Sequence, residues 1–243
     1  MRVLIISDIH ANITALEAVL ADAGPVDETW CLGDIIGYGP DPNECVEKVR
    51  SLTNLTCVLG NHDVAVLGLM PLVAFNGDAR LSLEWQIATL TPNNVDFLRE
   101  LPHKPVYFEN VTLVHGSPRD PVWEYILNML SARINFQAFD TRWCLVGHTH
   151  LQMAFEYDPP SDRVLLNFIP AGEVYKLDRK AILNPGSVGQ PRDRDPRAAY
   201  AIYETEDLTW QPGRVAYDVA AVQKRIRAAN LPERHALRLA EGW

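Results

Sequence analysis

Residues 3–10 read Val3-Leu4-Ile5-Ile6-Ser7-Asp8-Ile9-His10. A short unbroken apolar run followed at once by an acid and a histidine fits a strand buried on both faces, with polar side chains at its C-terminal end. The same pattern recurs along the chain. Trp30–Leu32 precedes Gly33-Asp34, and Thr56–Leu59 precedes Gly60-Asn61-His62-Asp63. Thr112–Val114 precedes His115-Gly116, and Leu145-Val146 precedes Gly147-His148-Thr149-His150. Between the first strands, Asn12 caps a helix on Ile13, Leu16, Val19 and Leu20 that Gly24-Pro25 stops. A Gly37–Pro42 loop then leads into a helix with Cys45, Val46 and Val49 on one side. This order predicts an α/β unit with a parallel sheet over residues 1–63.

Downstream the texture changes. Asp78 to Leu90 is helical, and Thr91-Pro92 opens a helix through Val95, Phe97 and Leu98. Short strands are expected at Val106–Phe108, Val111–Val114, Trp143–Val146, Met153–Tyr157, Val164–Phe168, Ala199–Tyr203 and Arg214–Tyr217. A last helix is expected over about 218–230. No linker, repeat or low-complexity tract divides residues 1–243. The expectation is one α/β (α+β) domain: an N-terminal βαβ part, a hairpin-rich part over about 105–217, and a C-terminal helix.

Composition narrows the function. The chain has 243 residues, 22 basic and 31 acidic, for a net charge of −9. Apolar residues make up 47%, enough for a large core and too many for a disordered chain. The acidic balance argues against a grip on long nucleic acid, which needs a basic face. Four cysteines, with no CxxC pair, read as small buried hydrophobes. The N-terminal apolar run is too short for a signal peptide, and no segment resembles a membrane span, so a cytoplasmic location is expected.

The polar strand ends carry the chemistry. In an α/β sheet the C-terminal strand ends share one edge, where ligands bind. Together they deliver Asp8, Asp34, Asn61, His10, His62, His115, His148 and His150 to one locality. Imidazole with carboxylate is the ligand chemistry of divalent transition metals. In an extended strand residues i and i+2 point the same way, so Asp8 can converge with His10, and His148 with His150. A single zinc takes three or four protein ligands. The surplus implies two metals sharing a carboxylate, as in phosphoester hydrolysis. His103 and His235 lie outside the pattern, the latter in a charged tail.

The ordered set D-x-H, G-D, G-N-H-D, H-G and G-H-T-H resembles the calcineurin-like metallophosphoesterase superfamily, of the small bacterial and archaeal phosphodiesterase type. The later Asn184-Pro185-Gly186-Ser187 also resembles that family's closing segment. The resemblance implies a two-sheet β-sandwich flanked by helices in four layers. It implies Asp8, His10 and His150 on one metal, Asn61, His115 and His148 on the other, and Asp34 bridging. His62 would face the substrate and assist the leaving group, with Asp63 orienting it. Asn12 would lie close to the phosphate. The implied cofactors are two divalent transition-metal ions, with Mn, Fe, Zn, Ni and Co all compatible. The implied reaction is in-line attack by a metal-bridging hydroxide on a small phosphorylated substrate, nucleotides included.

Gly33-Asp34-Ile35-Ile36-Gly37-Tyr38-Gly39 lacks the arginine of G-D-x-x-D-R-G and G-D-x-x-x-R-G. Those motifs belong to the family's Ser/Thr phosphatases and symmetrical diadenosine tetraphosphate hydrolases, so a diester is favoured over a monoester or a dinucleoside polyphosphate. Tyr38 either stacks on a base or packs its own loop. Arg192 and Arg194 either clamp a phosphate or pair with Asp193 and Asp195. A non-catalytic protein-binding scaffold, known in the same superfamily, is the reading from a different class. The sequence does not fix the oligomeric state.

Overall fold

The computed structural model describes residues 1–243. Its strands are β1 (Arg2–Ile6), β2 (Glu28–Cys31), β3 (Leu55–Cys57), β4 (Val106–Tyr107), β5 (Val111–Leu113), β6 (Trp143–Leu145), β7 (Gln152–Asp158), β8 (Arg163–Asn167), β9 (Tyr175–Lys176), β10 (Ala181–Pro185), β11 (Ala198–Glu204) and β12 (Thr209–Val215). Its helices are α1 (Ile13–Ala23), α2 (Pro42–Arg50), α3 (Asn61–Val66), α4 (Gly77–Thr89), α5 (Pro92–Glu100), α6 (Met129–Asn135), α7 (Val219–Ala228) and α8 (Glu233–Glu241).

Two mixed six-stranded sheets result, ordered β3-β2-β1-β11-β12-β9 and β4-β5-β6-β10-β7-β8. Strands β1, β2 and β3 run parallel, with Ile6 beside Cys31 and Cys31 beside Cys57. In the second sheet β5, β6 and β10 are parallel to one another. The β1 run shows how one strand serves two layers. Val3 and Ile5 enter the core between the sheets with Trp30, Leu145, Leu183 and Trp210. Leu4 and Ile6 face the opposite way, toward Leu16 and Val19 of α1 and Val46 and Val49 of α2. Side chains alternate along a strand, so an all-apolar run satisfies both faces. On the outer face of the second sheet, Phe155 and Ile182 pack on Ala132 and Phe136 near α6. Helix, sheet, sheet, helix is the four-layer order expected.

Local signals place the first helices. The Asn12 side chain accepts the Ala15 N–H at 3.1 Å and caps α1. Pro42 and Pro92 open α2 and α5. All four cysteines are free and buried. No helix is long and apolar enough to cross a membrane.

Three expectations need correction. Strand β10, central to the second sheet, is absent from the expected strands, because Asn184-Pro185-Gly186 has the composition of a turn and masks its end. Strand β12 spans residues 209–215 rather than 214–217. The C-terminal segment holds two helices, not one, with α8 beyond the expected boundary.

Candidate metal centre

Five strand ends deliver the polar side chains, but they belong to two sheets. Asp8 and His10 follow β1, Asp34 follows β2 and Asn61 follows β3. His115 follows β5, while His148 and His150 follow β6. All seven are buried. They meet because the two parallel runs end at the same side of the sandwich.

The backbone there is not extended, as the i, i+2 argument required. Asp8, His10, Asp34, His148 and His150 all have φ between 49° and 62°, in the left-handed region. Non-glycine residues occupy that region at a cost of about 1 kcal/mol or more, so the surrounding structure must impose it. Ser187 donates its hydroxyl to the Asp8 carbonyl at 2.8 Å. Asn184 donates to the Gly147 carbonyl and the Thr149 hydroxyl, at 2.7 and 3.0 Å. Gly60 has no alternative, because a Cβ there would collide with the Asp34 carboxylate.

Each carboxylate is divided between two tasks. Asp8 Oδ2 accepts the His148 N–H at 3.1 Å and Asp34 Oδ1 accepts the His62 N–H at 2.8 Å. The other oxygens, Asp8 Oδ1 and Asp34 Oδ2, are buried without a hydrogen-bond partner. Asp34 Oδ2 lies 3.6 Å from His10 Nε2 and 3.4 Å from His115 Nε2. Asp8 Oδ1 lies 3.3 Å from His150 Nε2.

The histidines are divided likewise. His10 Nδ1 faces the Ile36 carbonyl at 2.9 Å, and His150 Nδ1 faces that of Gln190 at 2.6 Å. His115 Nδ1 faces the Leu32 carbonyl at 2.7 Å, and His148 Nε2 that of Trp123 at 3.1 Å. A carbonyl oxygen only accepts, so each of these nitrogens carries a proton and the other nitrogen turns inward. His10 Nε2 and His150 Nε2 are 3.1 Å apart; His115 Nε2 and His148 Nδ1 are 3.3 Å apart, with Asn61 Oδ1 at 3.2 Å from the former. Burial holds His10, His148 and His150 well below the usual imidazole range, so their inward nitrogens are lone pairs. Burial pulls His115 down too, but the charge and hydrogen bond of Asp34, the Asp8 charge and the Leu32 carbonyl together override it and lift His115 to about 9. Burial is the largest single influence and pushes Asp34 up, but the charge and hydrogen bond of His115 together with the other neighbouring histidines outweigh it and hold that carboxylate well below its usual range. Burial lifts Asp8 to about 7.

Lone pairs facing lone pairs and orphaned carboxylate oxygens are a donor set for cations. Three groups stand out, Asp8-His10-His150, His10-Asp34-His62 and Asp34-His115-His148, each with ligand atoms within 4.8 Å of one another. Nitrogen and oxygen donors with carbonyl-anchored imidazoles fit a divalent transition metal.

His62 lies at the start of α3. Its ring is walled by His10, Tyr38 and Phe75 at centroid distances of 4.9, 4.4 and 5.0 Å. Burial drives it to about 4. Its Nδ1 has no partner. A Cβ on Gly37 would collide with that nitrogen.

Other expected site residues do something different. Asp63 does not orient His62: its carboxylate accepts the N–H groups of Gly60, Ile36 and Ile35 at 3.0, 3.2 and 3.3 Å. It clamps the Asp34 loop to α3. Asn12 is likewise structural, since its oxygen caps α1 and its nitrogen donates to the Gly189 carbonyl at 3.1 Å. Tyr38 offers no face to a base. It is 7% exposed and enclosed by His10, His62 and His235. Arg192 reaches the site, donating to the Tyr38 hydroxyl at 3.3 Å. Arg194 does not: its side chain is exposed, and its backbone N–H donates to the Gly242 carbonyl. Asp193 pairs with Arg214 and Asp195 with Arg197.

Three contributors escaped the sequence reading. Gln86 of α4 accepts the Gly37 N–H at 2.6 Å and donates to the Gly39 carbonyl at 2.9 Å, fixing the Tyr38 loop. His235 of α8, placed in a charged tail by its neighbours, is buried 5.0 Å from the Tyr38 ring. Phe75, Trp123 and Tyr125 form an aromatic rim, with Tyr125 stacked on His148 at 3.8 Å.

Comparison with known proteins agrees with this architecture. Residues 1–208 match the calcineurin-like phosphoesterase superfamily domain. The crystal structure of a metallophosphoesterase from Sphaerobacter thermophilus is similar over 100% of this chain and 99% of that one. The TM-score is 0.92 and the identity 48%. An uncharacterised protein of Methanocaldococcus jannaschii is 36% identical over 239 residues, covering 95% of this chain and 94% of that protein. The chain belongs to the calcineurin-like phosphoesterase superfamily. A symmetrical bis(5′-nucleosyl)-tetraphosphatase of Pectobacterium atrosepticum is 26% identical over 137 residues, covering 55% of this chain and 49% of that protein. The match therefore spans about half the length of that relative.

Proposed function

We propose that this protein is a phosphodiesterase that uses two divalent transition metals. The observation that carries the reading is the paired inward donors: three lone-pair imidazoles, His115, Asn61 and two orphaned carboxylate oxygens. Asp8, His10 and His150 would hold one cation, Asn61, His115 and His148 the other, and Asp34 both. Bound there, the cations supply Lewis acidity, lowering the pKa of a water and withdrawing charge from phosphoryl oxygens.

The chain's own residues supply the rest. His62 is neutral at pH 7, so with its proton on Nε2 it donates a hydrogen bond to the phosphoryl or leaving oxygen rather than delivering a full positive charge. Arg192 adds a fixed cation beside the anionic substrate. Phe75, Trp123 and Tyr125 keep water away from the centre, which strengthens its electrostatics. The missing arginine after Asp34 supports a diester substrate.

The test is hydrolysis of bis-p-nitrophenyl phosphate against p-nitrophenyl phosphate by metal-stripped, manganese-reloaded protein, with Asp34→Asn as control. Diester turnover well above monoester turnover, and absent in the control, is expected. Monoester preference would make it a phosphatase. No turnover despite two bound metals per chain would make it a scaffold. The likeness to the tetraphosphatase favours a second reading, dinucleoside polyphosphate hydrolysis. Release of nucleotides from diadenosine tetraphosphate at a rate above that for the diester would select it.

A further inference from the structure

A diester held at the metal donors carries two organic groups, and most of the surroundings leave no room for them. The α7–α8 hairpin closes one side. Val222, Ile226 and Leu239 are buried in its seam. The void beside His10, Tyr38 and His235 is about 10 Å³, space for one water at most. Phe75 and Trp123 close another side: their rings meet edge to face at 5.2 Å, and Phe75 also packs on His62.

A groove of about 550 Å³ offers the space. Three stretches that line it leave the metal centre within two residues. Leu151 follows His150 directly. Asp193 follows Arg192, whose backbone N–H donates to the His150 carbonyl at 3.3 Å and whose guanidinium reaches the Tyr38 hydroxyl. Leu127 lies two residues beyond Tyr125, whose ring stacks on that of His148 at 3.8 Å. Two residues span at most about 7 Å, so the groove begins beside the donors. Asn167 pairs with Ala154, which puts the next residue, Phe168, near the start of β7 and so at the same end of the sandwich.

The lining has two characters. Leu127 and Phe168 stay 49% and 70% exposed, an uncovered apolar surface of the kind that marks a binding groove. The charged residues are Asp193 and Asp195, each paired with an arginine, Arg214 and Arg197. Two anions and two cations leave no net charge, which suits a neutral group rather than a second phosphate. An acyl chain would desolvate those ion pairs and return no hydrogen bond. A nucleoside has an apolar base face, and its hydroxyl and amine groups donate to carboxylate oxygens, which keep lone pairs beyond those an arginine uses. The volume lies in the range of small-molecule sites. We propose that this groove holds the nucleoside of a nucleoside phosphodiester, with Leu127 and Phe168 against the base and Asp193 and Asp195 toward its donors. The inference rests on the phosphodiesterase reading above and names its substrate class.

The experiment has two arms. In the first, KM and kcat are measured on manganese-loaded protein for the methyl, decyl and thymidine 5′ diesters of p-nitrophenyl phosphate, which share a leaving group. The thymidine diester should have a KM about tenfold below that of the methyl diester, the worth of one well-covered apolar side chain. Phe168→Ser and Leu127→Ser should each narrow that ratio about fivefold, since each side chain is only partly covered. Thermal unfolding checks that both variants fold. In the second arm, thymidine 5′-monophosphate is titrated into zinc-loaded protein with labelled leucine methyl groups, followed by nuclear magnetic resonance. The Leu127 and Leu151 signals should shift together along one saturation curve. Equal KM for the methyl and thymidine diesters, a lower KM for the decyl diester than for the thymidine one, or unmoved Leu127 and Leu151 signals would overturn the assignment. Shifts of both leucines without hydrolysis of any diester would leave the nucleoside site standing and remove the phosphodiesterase.

Discussion

Two regions bring histidines to the same tyrosine by different means. His10 arrives on a strand-end loop, with left-handed backbone pinned into the core and its ring 4.6 Å from Tyr38. His235 arrives on α8, an amphipathic helix held by an apolar seam, with its ring 5.0 Å from the same tyrosine. The loop fixes its histidine at a strand end through a strained backbone. The helix places its residue by packing against elements far away in sequence. The first kind of placement leaves a motif in the sequence and the second does not.

The sharpest way to break the comparison is at His62, which shares the loop machinery but is read as acting on substrate. His62→Ala should lower kcat about 10²- to 10⁴-fold, the usual yield of a positioned proton donor. Metal content, measured by atomic emission, should stay at the parent level. Parallel loss of metal would turn His62 into a ligand.

Next in size is proton competition at the loop site. His115 sits near 9, above its unperturbed 6.5, so below pH 9 it carries a proton that a cation must displace. Metal affinity should therefore fall as pH falls. The expected loss from this group approaches tenfold per pH unit well below 9, and is about fiftyfold from pH 9 to 7. Asp8, near 7, adds a second proton to displace below that pH. Manganese titrations followed by paramagnetic resonance at pH 7 and 9 read this directly. Equal affinities would deny His115 its proton.

The hairpin should fail differently. Ile226 is fully buried in the α7–α8 seam, and Ile226→Ala should cost about 2–5 kcal/mol of unfolding free energy in urea. The cost should leave the number of bound metals unchanged, because none of the proposed ligands lies on the hairpin. Loss of metal with the seam would show that the two regions are mechanically one.

The smallest effect is expected at Asn12. Its cap is worth about 1 kcal/mol, so Asn12→Ala should lower the melting temperature by a few degrees. If Asn12 instead contacts substrate, KM will rise with little change in melting.

These contrasts follow what the chain wrote locally. Val3–Ile6 announces a strand shared by two apolar layers, and Asn12, Pro42 and Pro92 announce helix starts, because caps and periodicity act within a few residues. The G-N-H-D and G-H-T-H stretches are legible because short strand-end loops have little freedom in where they put side chains. Strand β10 was hidden because its last residues, Asn184-Pro185, read as a turn; its place is set by pairing with β6 and β7. The backbone contacts of Asp63 and Asn12 were not legible for a related reason. A carboxylate or amide near a histidine looks chemical in sequence, whereas the structure commits both to unpaired backbone groups.

The sequence alone determined the layered α/β class, the metal-type donor set and the order in which the strands present it, since these depend on residue type and short-range spacing. Tertiary structure decided which nitrogen of each histidine turns inward, because that depends on carbonyls of Ile36, Leu32, Trp123 and Gln190, distant in sequence from the rings they hold. It also decided that α8 closes over Tyr38, because burying an apolar seam is indifferent to sequence distance and rewards whatever surface the fold leaves open.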